Sequence, residues 1–88
     1  MPYRVELIPA AVRQMSKLPR RDQQRIRDAI DELSQNPRPQ GAKKLTGLKN
    51  VWRVRAGDYR VLYEIHDDRL VVLVIRVAHR KDVYRKGN

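Results

Sequence analysis

Apolar side chains recur at a helical spacing in the first half of the chain and at a strand spacing in the second half. Residues 3–8 alternate between apolar and polar side chains and predict a first strand. Residues 10–18 and 20–35 carry apolar side chains every three or four positions, which predicts two helices, the first entered at Pro9. Because Pro19 stops the first helix just before the second begins, we expect the two to form a helical hairpin.

After a helix-breaking segment at residues 36–41, the apolar period shortens to two and predicts four further strands. These strands are predicted at residues 43–46, 51–55, 59–65 and 70–77. The last strand is apolar almost throughout, so we expect it to be central and covered on both faces. The chain is therefore expected to be a single α+β domain, residues 1–88, of order β-α-α-β-β-β-β. The helical hairpin should pack on one face of a mostly antiparallel sheet of four to five strands.

Positive charge is spread evenly along the chain. Twenty basic and 10 acidic side chains give a formal net charge of +10, and the two halves carry equal shares. The charge therefore belongs to the folded body and not to a detachable tail. Such a surface favours a polyanionic partner, either nucleic acid or an acidic protein segment. Arginine outnumbers lysine, which suits phosphate recognition because a guanidinium group can donate two parallel hydrogen bonds to phosphate.

The residue types present exclude several classes of site. Cysteine is absent, which removes disulfides, thiolate nucleophiles and cysteine-based zinc sites, and the two histidines are too few for an all-histidine zinc site. We therefore expect no metal and no cofactor. No apolar run approaches the roughly 20 residues of a membrane-spanning helix, and the first residues show no signal-peptide pattern. A cytoplasmic protein without a membrane partner is expected.

Three arginines are predicted to gather at one hairpin. Arg53 and Arg55 share a face of their strand by period-two alternation, and Arg60 begins the next strand, within cross-strand distance of Arg55. Like charges placed opposite each other destabilise a sheet, so this grouping points to an anion held between the guanidinium groups. The alternative is three independently solvated arginines on an exposed face.

The segment 76–85 is expected to place three further candidate residues at the edge of the same sheet: His79, Arg80 and Tyr84. Cleavage of RNA by internal transfer requires a base for the 2′-OH, cations for the developing phosphorane, and an acid for the leaving 5′-oxygen. Arginines and one histidine could supply these functions, and a tyrosine could stack on a splayed base. Alternatively, His79 is a solvated loop residue and Tyr84 anchors the tail.

Four segments together resemble the RelE/ParE superfamily of toxins from toxin–antitoxin systems. They are residues 44–47 (KLTG), 51–55 (VWRVR), 57–63 (GDYRVLY) and 74–84 (VIRVAHRKDVY), and the last resembles the RelE branch in particular. The resemblance implies a bacterial or archaeal toxin that cleaves mRNA in the ribosomal A site. It also implies a cognate antitoxin, RelB-like or other, whose carboxylate-bearing segment wraps the toxin and holds it inactive.

The resemblance also assigns roles to residues. Arg60, Arg80 and Tyr84 match catalytic positions of the RelE branch, and His79 takes a position that is lysine in some relatives. The residues predicted to bind RNA are Arg53 and Arg55, which match a basic strand pair of the family, together with Lys43, Lys44, Lys81 and Arg85. Because arginine is always protonated, the strand arginines make poor bases. We expect His79, surrounded by arginines and therefore neutral, to accept the 2′-OH proton, with Glu64 as the alternative base.

Two other functions remain open at this stage. The first is a ParE-like poison of DNA gyrase, which would share the fold but lack nuclease chemistry. The second is a basic module that binds nucleic acid without catalysis, and this would require the charge but neither the tyrosine nor the histidine.

Overall fold

The computed structural model describes residues 2–81, and its elements follow the predicted order. The elements are β1 (Arg4–Leu7), α1 (Pro9–Ser16), α2 (Arg20–Gln35), β2 (Lys43–Lys44), β3 (Val51–Ala56), β4 (Tyr59–His66) and β5 (Val71–His79). The strands form one five-stranded sheet of order β1-β5-β4-β3-β2. The pair β1–β5 is parallel and the other pairs are antiparallel. The predicted α+β fold is confirmed.

Prolines set the starts of both helices. Pro9 occupies the first turn of α1, where a missing N–H costs nothing, and Pro19 is the N-cap residue of α2. The buried positions of α2 are Ile26, Ile30 and Leu33, a spacing that places them on one face of the helix. This apolar face is what holds the helix on the sheet.

The core lies on one side of the sheet. Alternate residues of β4, including Val61 and Tyr63, form a single buried cluster with residues of β5 and of both helices. We call this side the helix face and the opposite side the open face. Among the described elements, neither helix covers the open face, and Leu73 of β5 stays partly exposed there. The expectation that β5 is a central strand is confirmed, and within residues 2–81 both helices pack on the same side of it.

A β-bulge in β5 changes the phase of its side chains. Leu62 pairs with Arg76, but the next residue of β4, Tyr63, pairs with Val74, so Ile75 is the extra residue. The bulge allows Val74 and Val77, three positions apart, both to point into the core. Beyond it, odd-numbered residues of β5 lie on the helix face.

Four side chains form a clasp at the end of the sheet remote from the β3–β4 turn. Arg38 donates to both carboxylate oxygens of Asp67, at 3.4 and 2.8 Å, and the Tyr3 hydroxyl donates to the same carboxylate. The guanidinium carbon of Arg38 also lies 5.3 Å from the ring centroid of Trp52. The hydrogen bonds from Arg38 and then Tyr3 lower the pKa of Asp67, and the bond to Asp67 raises the pKa of Tyr3.

Asp67→Asn is expected to lower the free energy of unfolding at neutral pH but to have little effect on it in acid. A lowered pKa stabilises the folded state above the unfolded value of 3.8, and the contribution disappears as pH falls through the folded pKa. Urea midpoints of wild type and variant should therefore converge on acidification. The matched control is Asp68→Asn, which removes the same charge from the neighbouring residue. An unchanged difference between wild type and Asp67→Asn across that pH range would contradict the linkage.

No helix in the described part of the chain has the length and apolar character needed to cross a membrane.

Candidate nucleic-acid interface

Cationic side chains line a cavity of about 280 Å³ beside the β3–β4 hairpin. Its charged members are Lys43, Arg53, Arg55 and Arg60, and we call it the arginine cavity. The strand register creates it, because Lys43 pairs with Arg53 and Arg55 pairs with Arg60 across neighbouring strands. Cross-strand partners point to the same face with Cβ atoms about 5 Å apart. The predicted grouping of Arg53, Arg55 and Arg60 is thus present on the open face.

The arginines of this cavity differ in exposure. Arg55 is exposed and Arg53 is half-buried, whereas Arg60 is only 3% exposed. The sequence suggested three arginines on an exposed face, so the burial of Arg60 is a departure from that expectation. A buried guanidinium group is held in place by its surroundings, so it presents a fixed positive charge at the cavity wall.

Arg80 lies at the same end of the sheet but comes from a different strand. It follows β5 directly, and its backbone N–H donates to the carbonyl oxygen of Asp58, at 2.9 Å, in the turn between β3 and β4. This bond places the Arg80 backbone at the tip of the hairpin that carries Arg55 and Arg60. The side chain of Arg80 is exposed. Tyr84 and Arg85, the other C-terminal candidates, lie outside the described residues.

His79 lies on the wrong side of the sheet for the role expected of it. It pairs with Tyr59 on the helix face, and the two rings meet edge-on with centroids 5.4 Å apart. Its Nδ1 accepts the backbone N–H of Lys81 at 3.2 Å, within the helical turn that begins at Arg80. The expectation that His79 is surrounded by the arginines is therefore wrong. The bulge at Ile75 is the reason, because it moves residue 79 to the helix face.

Lys44 is also separated from the cavity. It pairs with Trp52, whereas Lys43 pairs with Arg53, and neighbouring residues of a strand point to opposite faces. Only Lys43 lines the arginine cavity. Lys81 is exposed and follows Arg80 at the end of β5.

Neither expected base lines the arginine cavity. Glu64 is on the open face, but its carboxylate lies 2.9 Å from the Nε2 atom of His66, so its partner is a histidine and not an arginine. Glu64 is four positions along β4 from Arg60, a distance of about 13 Å. No carboxylate or imidazole of residues 2–81 lines the cavity. Within the same residues, no three His, Asp or Glu side chains form a group that could hold a metal ion.

Sequence reasoning missed one cation of this face. Arg76 pairs with Leu62, which in turn pairs with Arg53, so the three residues form one cross-strand row with Lys43 at its other end. Uninterrupted alternation from Val72 and Val74 would have placed Arg76 in the core. Only knowledge of the bulge could have assigned it to the open face.

Comparisons with known proteins agree with this geometry. A family model described as the ParE toxin of the type II toxin–antitoxin system, parDE, matches residues 5–84. Toxin RelG of Mycobacterium tuberculosis is 37% identical over 87 residues, which cover 98% of this chain and 100% of RelG. The mRNA interferase toxin RelE of Escherichia coli is 28% identical over 91 residues, covering 99% of this chain and 95% of RelE.

A solved structure shares both fold and sequence with this chain. It is the toxin–antitoxin complex RelBE2 of Mycobacterium tuberculosis, one chain of which superposes with a TM-score of 0.81 at 34% sequence identity. The superposition covers 91% of this chain and 93% of that chain. The family match, the relatives and the basic open face lead to one conclusion: this chain belongs to the ParE toxin family of type II toxin–antitoxin systems, within its RelE branch.

Proposed function

We propose that this toxin is an endoribonuclease that cleaves mRNA on the ribosome, without a metal ion, and so inhibits translation in the cytoplasm. The observation that carries the proposal is the arginine cavity, in which two pairs of like charges face each other across strands. An anion bound between such pairs would offset their repulsion. The relative from Escherichia coli, named an mRNA interferase, supports RNA as that anion.

The cavity suits cleavage by internal transfer. In this reaction the 2′-oxygen forms a bond to phosphorus while the bond from phosphorus to the 5′-oxygen breaks, leaving a 2′,3′-cyclic phosphate and a 5′-hydroxyl. A proton leaves the 2′-OH and another reaches the 5′-oxygen. Negative charge grows on the phosphoryl oxygens in the transition state. We assign Arg60 and Arg80 to stabilising this charge, and Arg53, Arg55 and Lys43 to holding the RNA backbone.

Proton transfer is the step to which the described residues contribute least. The Nδ1 atom of His79 is engaged by Lys81 and its ring is on the helix face, while Glu64 is engaged by His66. We therefore propose that the arginines act by charge stabilisation and by positioning, and that the ribosome holds the mRNA so that the 2′-oxygen is aligned with the scissile phosphate. A weak base is sufficient when alignment is supplied in this way.

The C-terminal residues complete the proposal. Tyr84 is assigned to stack on a base next to the cut, and Arg85 and Lys81 to contact the RNA backbone. Lys44, on the other face of β2, would reach RNA only outside the arginine cavity.

The positive charge of the toxin also indicates the kind of partner that holds it inactive. A surface of formal net charge +10 attracts a cognate antitoxin whose wrapping segment carries carboxylates, RelB-like or of another family. Carboxylates bound to Arg55 and Arg80 would neutralise the site and exclude RNA from it. The Mycobacterium tuberculosis neighbour was itself solved as a toxin–antitoxin complex.

Mapping of RNA 5′ ends tests the proposal directly. Toxin made by cell-free synthesis is either treated with EDTA and then freed of it or left untreated, and is added to ribosomes programmed with a defined mRNA in magnesium buffer. The expected result is a set of cuts in phase with codons, carrying 5′-hydroxyl ends, at a rate that prior chelation of the toxin leaves unchanged. Cuts that require a metal bound to the toxin contradict the metal-independent mechanism. DNA breaks with gyrase, without codon-phased cuts, would instead identify a ParE-like gyrase poison.

A further inference from the structure

A second cavity, of about 380 Å³, lies at the edge of β5 beside α1, and residues from both faces of the sheet line it. Strand β1 ends opposite Val74, so no strand within residues 2–81 pairs with the following part of β5 on that side. Gln14 of α1 covers part of this edge, because its Oε1 atom accepts the N–H of Val77 at 2.7 Å. The cavity is lined by Gln14, Lys17, Tyr59, Arg76 and His79, among others. Arg76 contributes from the uncovered edge of the sheet.

Four side chains of this cavity present hydrogen-bond donors, whereas the hydroxyl of Tyr59 donates to Asp22 at 3.4 Å. Lys17 and Arg76 have only donors, and both are positively charged. Because Nδ1 of His79 accepts the Lys81 N–H, a neutral His79 ring carries its proton on Nε2. The oxygen of Gln14 is engaged by Val77, which leaves its amide nitrogen as a donor. No carboxylate of the described residues lines the cavity. A site of donors and cations is complementary to an anion.

We propose that this cavity binds a phosphate group of RNA, as a second phosphate site at the edge of β5, separate from the arginine cavity. The inference rests on the proposed function, since it takes RNA as the ligand. Two observations favour RNA over an acidic peptide. His79 lines this cavity, and the next residue, Arg80, is bonded through its backbone to Asp58 in the turn that precedes Arg60, so an RNA strand passing the end of β5 lies within reach of both cavities. In addition, the rings of Tyr59 and His79 line the cavity, and RNA bases stack on such rings.

Salt dependence of RNA binding tests the proposal. The probe is a single-stranded 2′-O-methyl oligonucleotide, which lacks the attacking 2′-OH and is not cleaved. Each phosphate contact contributes about 0.7 to the slope of log affinity against log salt for single strands. The double variant Lys17→Ala/Arg76→Ala is expected to lower that slope by about 0.7 and to weaken binding several-fold. The control is Arg13→Ala/Lys49→Ala, which removes the same charge at exposed positions that do not line the cavity.

A second readout uses inorganic phosphate. Ring resonances of His79 should shift on phosphate addition in wild type, at constant ionic strength, and this shift should be lost in the Lys17→Ala/Arg76→Ala variant. This inference would be overturned if the double variant and its control showed equal slopes of log affinity against log salt. If the wild type still cut mRNA on ribosomes, the proposed function would be unaffected. Displacement of phosphate from His79 by a poly-glutamate peptide but not by the oligonucleotide would also overturn it, in favour of a carboxylate ligand. A wild type that does not cut mRNA contradicts the proposed function separately.

Discussion

Arg80→Ala is expected to slow single-turnover mRNA cleavage on programmed ribosomes by about 10²–10³-fold, the usual cost of removing one contact to transition-state charge. Of the two arginines assigned to the transition state, Arg80 can be changed with the smaller effect on the fold. The backbone N–H of Arg80 donates to Asp58, and an alanine at this position would keep that hydrogen bond. The side chain of Arg80 is exposed. The variant should therefore keep the wild-type melting temperature. Growth arrest in cells should be lost with the cleavage.

The control for this experiment is Arg21→Ala on α2, which removes an equal charge from an exposed position outside the arginine cavity. It should cleave at close to the wild-type rate. Full cleavage by Arg80→Ala at matched concentration would remove Arg80 from the mechanism. Arg60→Ala is expected to be at least as inactive, but its side chain is 3% exposed, so its loss also removes packing. Arg60→Lys, which keeps the charge, is the better companion variant.

Most of the fold could be predicted because each element has a local cause. Proline positions fixed the starts of both helices, and the apolar spacing of α2 predicted residues 20–35 as they are observed. The strands of the hairpin followed from alternation, which also placed Arg53 and Arg55 on one face and Arg60 opposite Arg55. These relations depend on near neighbours in sequence, which is why they can be inferred without tertiary information.

The position of His79 could not be predicted for the opposite reason. Its face depends on the bulge at Ile75, and the bulge follows from how β5 meets β4 and not from any local signal in the apolar run. Strict alternation from Val74 would put Val77 on the open face and Arg76 in the core. Inserting one residue avoids burying that guanidinium group and keeps Val77 in the core. The same shift carries His79 away from the arginines.

The burial of Arg60 is a second feature that could not be predicted from the sequence. Alternation gives the face of a side chain but not what covers it. Glycine at position 57 permits the tight turn, with φ of +64°, that returns the chain and sets Arg60 opposite Arg55. The resulting site combines a buried cation with exposed ones, which suits one fixed contact at the scissile phosphate and adaptable contacts along the RNA backbone.

Leu33→Ala is expected to have the largest effect on stability. Leu33 is fully buried in the cluster that joins α2 to the sheet, and truncating such a leucine costs about 2–5 kcal/mol. Domains of this size have roughly 5–15 kcal/mol of total stability, and each kcal/mol corresponds to about 4–8 °C in melting temperature. The melting temperature should therefore fall by roughly 8–40 °C. Val12→Ala on α1, where the side chain is 50% exposed, is the control and should melt close to wild type.

This variant also separates the fold from the chemistry. Leu33 packs on the helix face, whereas the arginine cavity is on the open face, so the folded fraction of Leu33→Ala should cleave mRNA at the wild-type single-turnover rate. Arg80→Ala is expected to show the reverse, normal melting with slow cleavage. Similar melting of Leu33→Ala and Val12→Ala would contradict the assigned core. Slow cleavage by fully folded Leu33→Ala would show that packing on the helix face positions the arginines through the sheet.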